Sequence, residues 1–156
     1  MKILIASDHA GFALKQSLTP FLIEMGYEVE DKGNTVLDEN DDYPDFIAQV
    51  AREVSSNFGL KGIVIGGSGQ GEAIVANRFP HVRAVVFNGQ YKSSDGRKIP
   101  EEIILSRQHN DANVLSLGAR FLNDEEAKEA VKLWLETEFS NDERHVRRIR
   151  KIDELK

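Results

Sequence analysis

Apolar residues along this chain fall into two patterns that take turns. Short, nearly unbroken blocks occupy residues 2–6, 62–65, 82–87 and 113–117, and a mixed block lies at 27–31. Between them run longer stretches in which apolar positions recur every third or fourth residue. Ile3-Leu4-Ile5 and Ile63-Val64-Ile65 are apolar on both faces of an extended chain, as central strands of a parallel sheet are. The five blocks therefore read as strands. The stretch 11–25 reads as a helix, with Phe12, Leu14 or Lys15, Leu18, Phe21, Leu22 and Met25 close to helical spacing. Pro20 predicts a kink or a break within it, and Gly26 suits its C-terminal cap. Pro44 fits a first helical turn, so 45–57 reads as a helix that presents Phe46, Ile47, Val50, Ala51 and Val54 on one face. Further helices are expected at 72–79, 101–108, 124–138 and 141–155, with Asn123 or Asp124 capping the one at 124–138. An acidic loop spans 32–43 and a polar one 88–100.

Strands that alternate with helices predict an α/β fold, a parallel sheet with helices on both faces. The length of 156 residues suits one domain covering the whole chain. Ligands in such folds sit at the carboxyl ends of the strands. The loops after the first, third and fifth strands, Ser7-Asp8-His9-Ala10-Gly11, Gly66-Gly67-Ser68-Gly69-Gln70-Gly71-Glu72 and Gly118-Ala119-Arg120, should then meet on one edge.

The second of these loops carries the strongest chemical signal. Glycine lets backbone approach a ligand closely and take positive φ, and successive free amides make a cradle for negative charge. The loop is neither a Walker A sequence nor a dinucleotide fingerprint. A carboxylate beside an anion cradle makes sense if Glu72 takes a proton from a group whose developing oxyanion the cradle holds. The plainer readings are a flexible turn and a glutamate that favours a helix N-terminus.

Composition narrows the picture. There is no cysteine, hence no disulfide, thiolate metal site or cysteine nucleophile. The first apolar run is too short for a signal peptide, and no run approaches the length of a membrane span, so a cytoplasmic location is expected. The net charge is −6. Residues 144–151 hold Arg144, Arg147, Arg148, Arg150 and Lys151 and no acid, so the remainder is more acidic still. An acidic body argues against nucleic acid as a partner; one compact basic cluster suits a small anion. Arg144 and Arg148, at i and i+4, share a helix face and could clamp a phosphate, or could pair with Asp142, Glu143 or Asp153 on a solvated face. Asp8 and His9 follow the first strand, where Asp8 could also cap the next helix. His109 lies in Arg107-Gln108-His109-Asn110-Asp111, between a helix and a strand, where a surface or capping role is the plainer one. The four histidines show no close metal-ligand spacing.

Taken together the motifs resemble the ribose-5-phosphate isomerase type B family, shared with galactose-6-phosphate and allose-6-phosphate isomerases. Ser7-Asp8-His9-Ala10-Gly11-Phe12, Asp42-Tyr43-Pro44-Asp45, the glycine loop with Glu72, and Ala76-Asn77-Arg78 carry the likeness. So do Arg107-Gln108-His109-Asn110-Asp111-Ala112-Asn113-Val114, Gly118-Ala119-Arg120, and Arg144-His145 with Arg147-Arg148. Some members place a cysteine at the end of the third strand. Others have a glycine there and a glutamate further into the loop, as Gly66 and Glu72 stand here. The stretch 88–101 is longer than the family's usual loop.

The resemblance implies a Rossmann-like three-layer αβα fold with a five-stranded parallel sheet and a C-terminal helix used in dimer contacts. It implies aldose–ketose isomerisation of ribose 5-phosphate and ribulose 5-phosphate, as in the pentose phosphate pathway, with galactose 6-phosphate or allose 6-phosphate as alternative substrates. A non-catalytic sugar-phosphate sensor on the same fold is the rival of another class; it would not need Glu72 and His109 together. By the same resemblance Glu72 is the base and Ser68 helps move the hydroxyl proton. His109 opens the sugar ring, with Asp8 nearby. Gly67, Gly69, Gln70 and Gly71 bind the reacting end. Arg120, Arg144 and Arg148 hold the phosphate, and His9 and Asn110 contact hydroxyls or phosphate. Neither metal nor organic cofactor is implied. The expected partner is a second copy, in a homodimer or dimer of dimers whose active site is shared.

Overall fold

The fold is that of a computed structural model, which describes residues 1–155. Its strands are β1 (Lys2–Ser7), β2 (Glu28–Asp31), β3 (Lys61–Gly66), β4 (Ala84–Phe87) and β5 (Val114–Gly118). Its helices are α1 (Phe12–Glu24), α2 (Tyr43–Ser56), α3 (Gln70–Ala76), α4 (Glu102–Asn110), α5 (Asp124–Glu136) and α6 (Glu143–Asp153). A single 3-10 turn at His9–Gly11 precedes α1. The sheet is wholly parallel in the order β2-β1-β3-β5-β4. This is the three-layer α/β architecture that the alternating pattern predicts.

Side chains of a strand point to its two faces in turn, and the core divides accordingly. Ile3, Ile5, Ile63, Ile65, Leu115 and Leu117 face α1, α4 and α5, where Leu14, Leu18, Leu22, Ile103, Val131 and Trp134 are buried. Leu4, Ala6, Val64 and Val114 face α2 and α3, against Ile47, Val50, Ala51, Val54 and Ala76. Each large aliphatic side chain withdrawn from water in these layers contributes about 1.5–3 kcal/mol, which holds the central strands in register and their ends at fixed heights.

Two local expectations change. Helix α1 runs unbroken through Pro20. Proline deprives the Gln16 carbonyl of its amide partner, but both residues are exposed, where water can replace that bond. The helix after the glycine loop starts two residues before Glu72 and stops at Ala76, sooner than its sequence pattern suggests. In α5 the cap is Asn123, in a reciprocal capping box with Glu126 (2.9 Å in both directions).

Candidate active site

At the carboxyl edge of the sheet three strand ends meet. Beyond β1, Asp8 is buried and accepts a hydrogen bond from the Gly11 amide (3.1 Å), so it does cap the turn that follows. A Cβ on Gly11 would come within 2.5 Å of the Ile65 carbonyl oxygen, so only glycine lets this turn lie against β3. Beyond β3, the glycine loop folds back with Gly69 at φ +72, a left-handed conformation that favours glycine. Ser116 of β5 donates to the Gly69 carbonyl (2.6 Å), and Asn88 donates to the Ser68 carbonyl (3.0 Å). Beyond β5, the Ala119 and Arg120 amides donate to the carbonyls of Gly66 (2.8 Å) and Gly67 (3.1 Å). The carbonyls of Gly66, Gly67, Ser68 and Gly69 are thus bound to the scaffold. Among the described residues, the amides of Gly67, Ser68, Gly69 and Gly71 have no protein acceptor, and that of Gln70 has only Ser68 Oγ (3.3 Å).

Glu72 enters this edge from the first turn of α3 and is only 4% exposed. Its carboxylate lies over the Cα of Gly66. A Cβ built on Gly66 would overlap that carboxylate, reaching 2.6 Å even from Oε2. A side chain at 66 and a glutamate in this position at 72 therefore exclude one another. Burial raises the Glu72 pKa above the ordinary carboxylate value; its own amide opposes the rise, and the Asp8 charge adds to it. A carboxylate so destabilised is a better base than one in water.

The same edge holds Arg120, whose guanidinium lies about where a side chain on Gly67 would go (3.0 Å). Half-buried His9 is raised in pKa first by its hydrogen bond to Asp41 (Nδ1 to Oδ1, 2.7 Å) and further by Asp8. Tyr43 packs its ring where a Cβ on Gly71 would stand (2.8 Å). Asp41 and Tyr43 are members of the site that sequence reasoning missed. Tyr43 stands in the family-like stretch Asp42-Tyr43-Pro44, but nothing local marks Asp41, which lies 32 residues from its partner. Asp8, His9 and Asp41 bring three possible ligand atoms within 4.8 Å of one another, a grouping invisible in linear spacing. His9 Nδ1 and Asp41 Oδ1 are hydrogen-bonded to each other there.

His109, Asn110, Arg144 and Arg148 are elsewhere. The end of α4 leads into the start of β5, so it lies at the amino edge of the sheet. Arg83, just before β4, fixes it there by donating to the Asn110 and Asp111 carbonyls (both 3.0 Å). The His109 and His145 rings stack with centroids 4.3 Å apart, which seats the first turn of α6 on the last turn of α4. Ser140 reinforces the contact, donating its amide to the Gln108 carbonyl (3.2 Å) and placing Oγ 2.9 Å from His145 Nδ1. His145 is buried, which lowers its pKa, as does the neighbouring His109. Arg144 and Arg148 are exposed on α6 and form no ion pair among the described residues; Asp153 faces His81 and Arg83 instead. From Gly62 and Val114 at one edge to Gly66 and Gly118 at the other is four steps of paired strand, about 13 Å at strand rise. Within one chain, His109 is therefore remote from Asp8 and Glu72, and only a site shared between two copies would bring it near Asp8.

A buried carboxylate of raised pKa, a row of free amides and a separate cationic surface suit a class of protein that moves protons on a small anionic metabolite. The chain belongs to the ribose/galactose isomerase family, whose sequence model matches residues 3–152. It is 41% identical over 151 residues to ribose-5-phosphate isomerase B of Escherichia coli strain K12, an alignment covering 97% of this chain and 93% of that one. The structure of ribose-5-phosphate isomerase B from Clostridium thermocellum superposes with a TM-score of 0.86 at 42% identity, covering 99% of this chain and 96% of the other. The Mycoplasma genitalium enzyme with bound ribulose-5-phosphate gives 0.86 at 38%, covering 97% and 93%. Among the described residues no helix is long and apolar enough to cross a membrane.

Proposed function

We propose that this isomerase interconverts ribose 5-phosphate and ribulose 5-phosphate through a cis-enediolate, at a site completed by a second copy of the chain. Glu72 removes the proton from C2 of the open aldose; the electrons of that C–H bond move to the carbonyl and leave the charge on O1. The amides of Gly67, Ser68, Gly69 and Gly71 receive this oxygen. Such donors gain most where charge develops, and losing one typically costs about 100- to 1,000-fold in rate. Ser68 relays the hydroxyl proton from O2 to O1, and Glu72 returns its proton to C1. The buried carboxylate lodged over Gly66 beside free amides is the observation that carries this reading.

A furanose must open first, and imidazole suits proton donation to the ring oxygen at neutral pH. His109 takes that role, with Asn110 beside it, while Arg144 and Arg148 meet the phosphate. Their location at the amino edge supports a homodimer in which the amino edge of one copy faces the carboxyl edge of the other. Arg120, His9 and Asp8 then belong to the subunit that supplies Glu72. A doubly charged phosphorylated substrate does not cross bilayers, which supports a cytoplasmic setting.

Glu72→Gln keeps the shape and removes the base. A fall in kcat of about 1,000-fold on ribose 5-phosphate is expected, within the range for general bases; activity within tenfold of the parent would sink the assignment. Galactose 6-phosphate and allose 6-phosphate, run beside it, should be turned over far more slowly.

A further inference from the structure

The acidic loop between β2 and α2 contributes a buried carboxylate to the carboxyl edge. The Asp41 side chain is 4% exposed. Its Oδ1 accepts the backbone amide of His9 (3.0 Å) and faces Nδ1 of the same residue (2.7 Å), while Oδ2 accepts from Asn34 Nδ2 (2.9 Å). A carboxylate only accepts, so the ring nitrogen facing it carries a proton. Asn34 is itself held, because its carbonyl accepts from Lys15 Nζ (2.6 Å), which also binds Asp31 Oδ2 (2.6 Å). The Lys15 side chain is wholly buried. An unbroken polar chain thus runs from the interior of α1, through the loop, to the imidazole.

We propose that Asp41 is a positioning residue that grips His9 by ring and backbone at once, so that Nε2–H is presented to the substrate's phosphate beside Arg120. The proposal rests on the isomerase reading for the identity of the substrate. The geometry is that of the carboxylate–histidine pairs that set tautomer and orientation at other sites. The charged groups facing His9 are Asp8 and Asp41, which favour its cationic form, and Arg120, which opposes it; the hydrogen bond to Asp41 outweighs partial burial, and the net effect is upward. Burial alone would push Asp41 up, but the hydrogen bonds from His9 and Asn34 hold it below its ordinary value, so it stays charged at neutral pH.

Two measurements on the full-length protein test this. Long-range nitrogen–proton NMR of His9 should show Nδ1 protonated throughout the titration, with the charge lost only above the ordinary imidazole range, near pH 6.5. In Asp41→Asn that titration should move to lower pH. KM for ribose 5-phosphate near pH 7.5 should rise about tenfold, the effect of one charge-assisted contact, with kcat within about threefold. In the parent, KM should climb as pH rises through the His9 titration, and in the variant the climb should begin at lower pH. Inorganic phosphate, as a probe independent of catalysis, should shift His9 signals in the parent and need about tenfold more ligand in the variant. An Nε2-protonated neutral tautomer in the parent would overturn the proposal without any variant. So would an Asp41→Asn protein with unchanged His9 titration and unchanged phosphate affinity. A parent that binds phosphate through His9 yet fails to isomerise ribose 5-phosphate would instead remove the isomerase reading and leave the pairing standing.

Discussion

In the proposed reaction the two edges of the sheet would meet the demands of one substrate by different means. The carboxyl edge is built from backbone and buried charge: loop carbonyls tied to β5, amides left free, and a carboxylate locked over a glycine. Its geometry is set by close approach, so small changes of side-chain volume should be felt strongly. The amino edge is built from exposed or half-exposed side chains on two helix ends, seated by one histidine stack and one serine. It offers charge and hydrogen-bond donors on longer, softer arms. A buried, preorganised half can stabilise a transition state, and an exposed cationic half can hold a phosphate equally in ground and transition states. The difference predicts that damage to the glycine loop or Glu72 falls on kcat, whereas loss of the phosphate-holding Arg144 or Arg148 falls on KM.

The largest effect after loss of the base itself should come from Gly66→Ala. One methyl group displaces the Glu72 carboxylate, and kcat should fall at least about 100-fold, the scale of a misplaced reacting group, while the folded chain remains. Near-normal kcat in steady-state assays would show that the carboxylate's place is not critical. Arg144→Ala or Arg148→Ala should raise KM for ribose 5-phosphate about 10- to 100-fold, the effect of one lost charge-assisted hydrogen bond, with kcat nearly kept. A drop confined to kcat would erase the distinction between the edges.

The stability effect of Glu72 should run against its catalytic value. Its pKa is raised on folding, so the unfolded chain ionises first as pH rises, and the folded state loses stability across the window from the ordinary carboxylate value up to the folded one. Glu72→Gln should therefore melt at a higher temperature than the parent at pH 7, with the gain shrinking as pH falls towards 4.5. Thermal melts at several pH values check both sign and window. Asn123→Ala, which breaks the α5 capping box without touching the glycine loop or Glu72, should cost only about 1 kcal/mol and leave kcat and KM nearly unchanged, as denaturant titration and assay would register.

The two halves are also unequally legible in the sequence. Strands with both faces apolar, and loops that leave them, are local features, so the residue pattern alone assigns Asp8, the glycine loop, Glu72 and Arg120 to one edge. That Gly66 and Glu72 exclude each other depends on a contact across the loop and shows only in three dimensions. Helical spacing pairs Arg144 with Arg148, yet their distance from Glu72 follows from α4 ending at the start of β5. Asp41 carries no local sign, because its partner lies at the end of another strand. Pro20 misleads because a missing amide costs little where its carbonyl partner is exposed.

The division of labour between edges requires that each working site draw on two chains. Mixing Glu72→Gln and His109→Ala subunits under conditions that let dimers exchange tests this directly. Each protein alone should be nearly inactive on ribose 5-phosphate. In a mixed dimer one of the two sites regains both residues, so an equal mixture should recover about a quarter of the parent activity. A mixture no more active than its components, with exchange confirmed by mass, would place both residues in one chain's site and contradict the account.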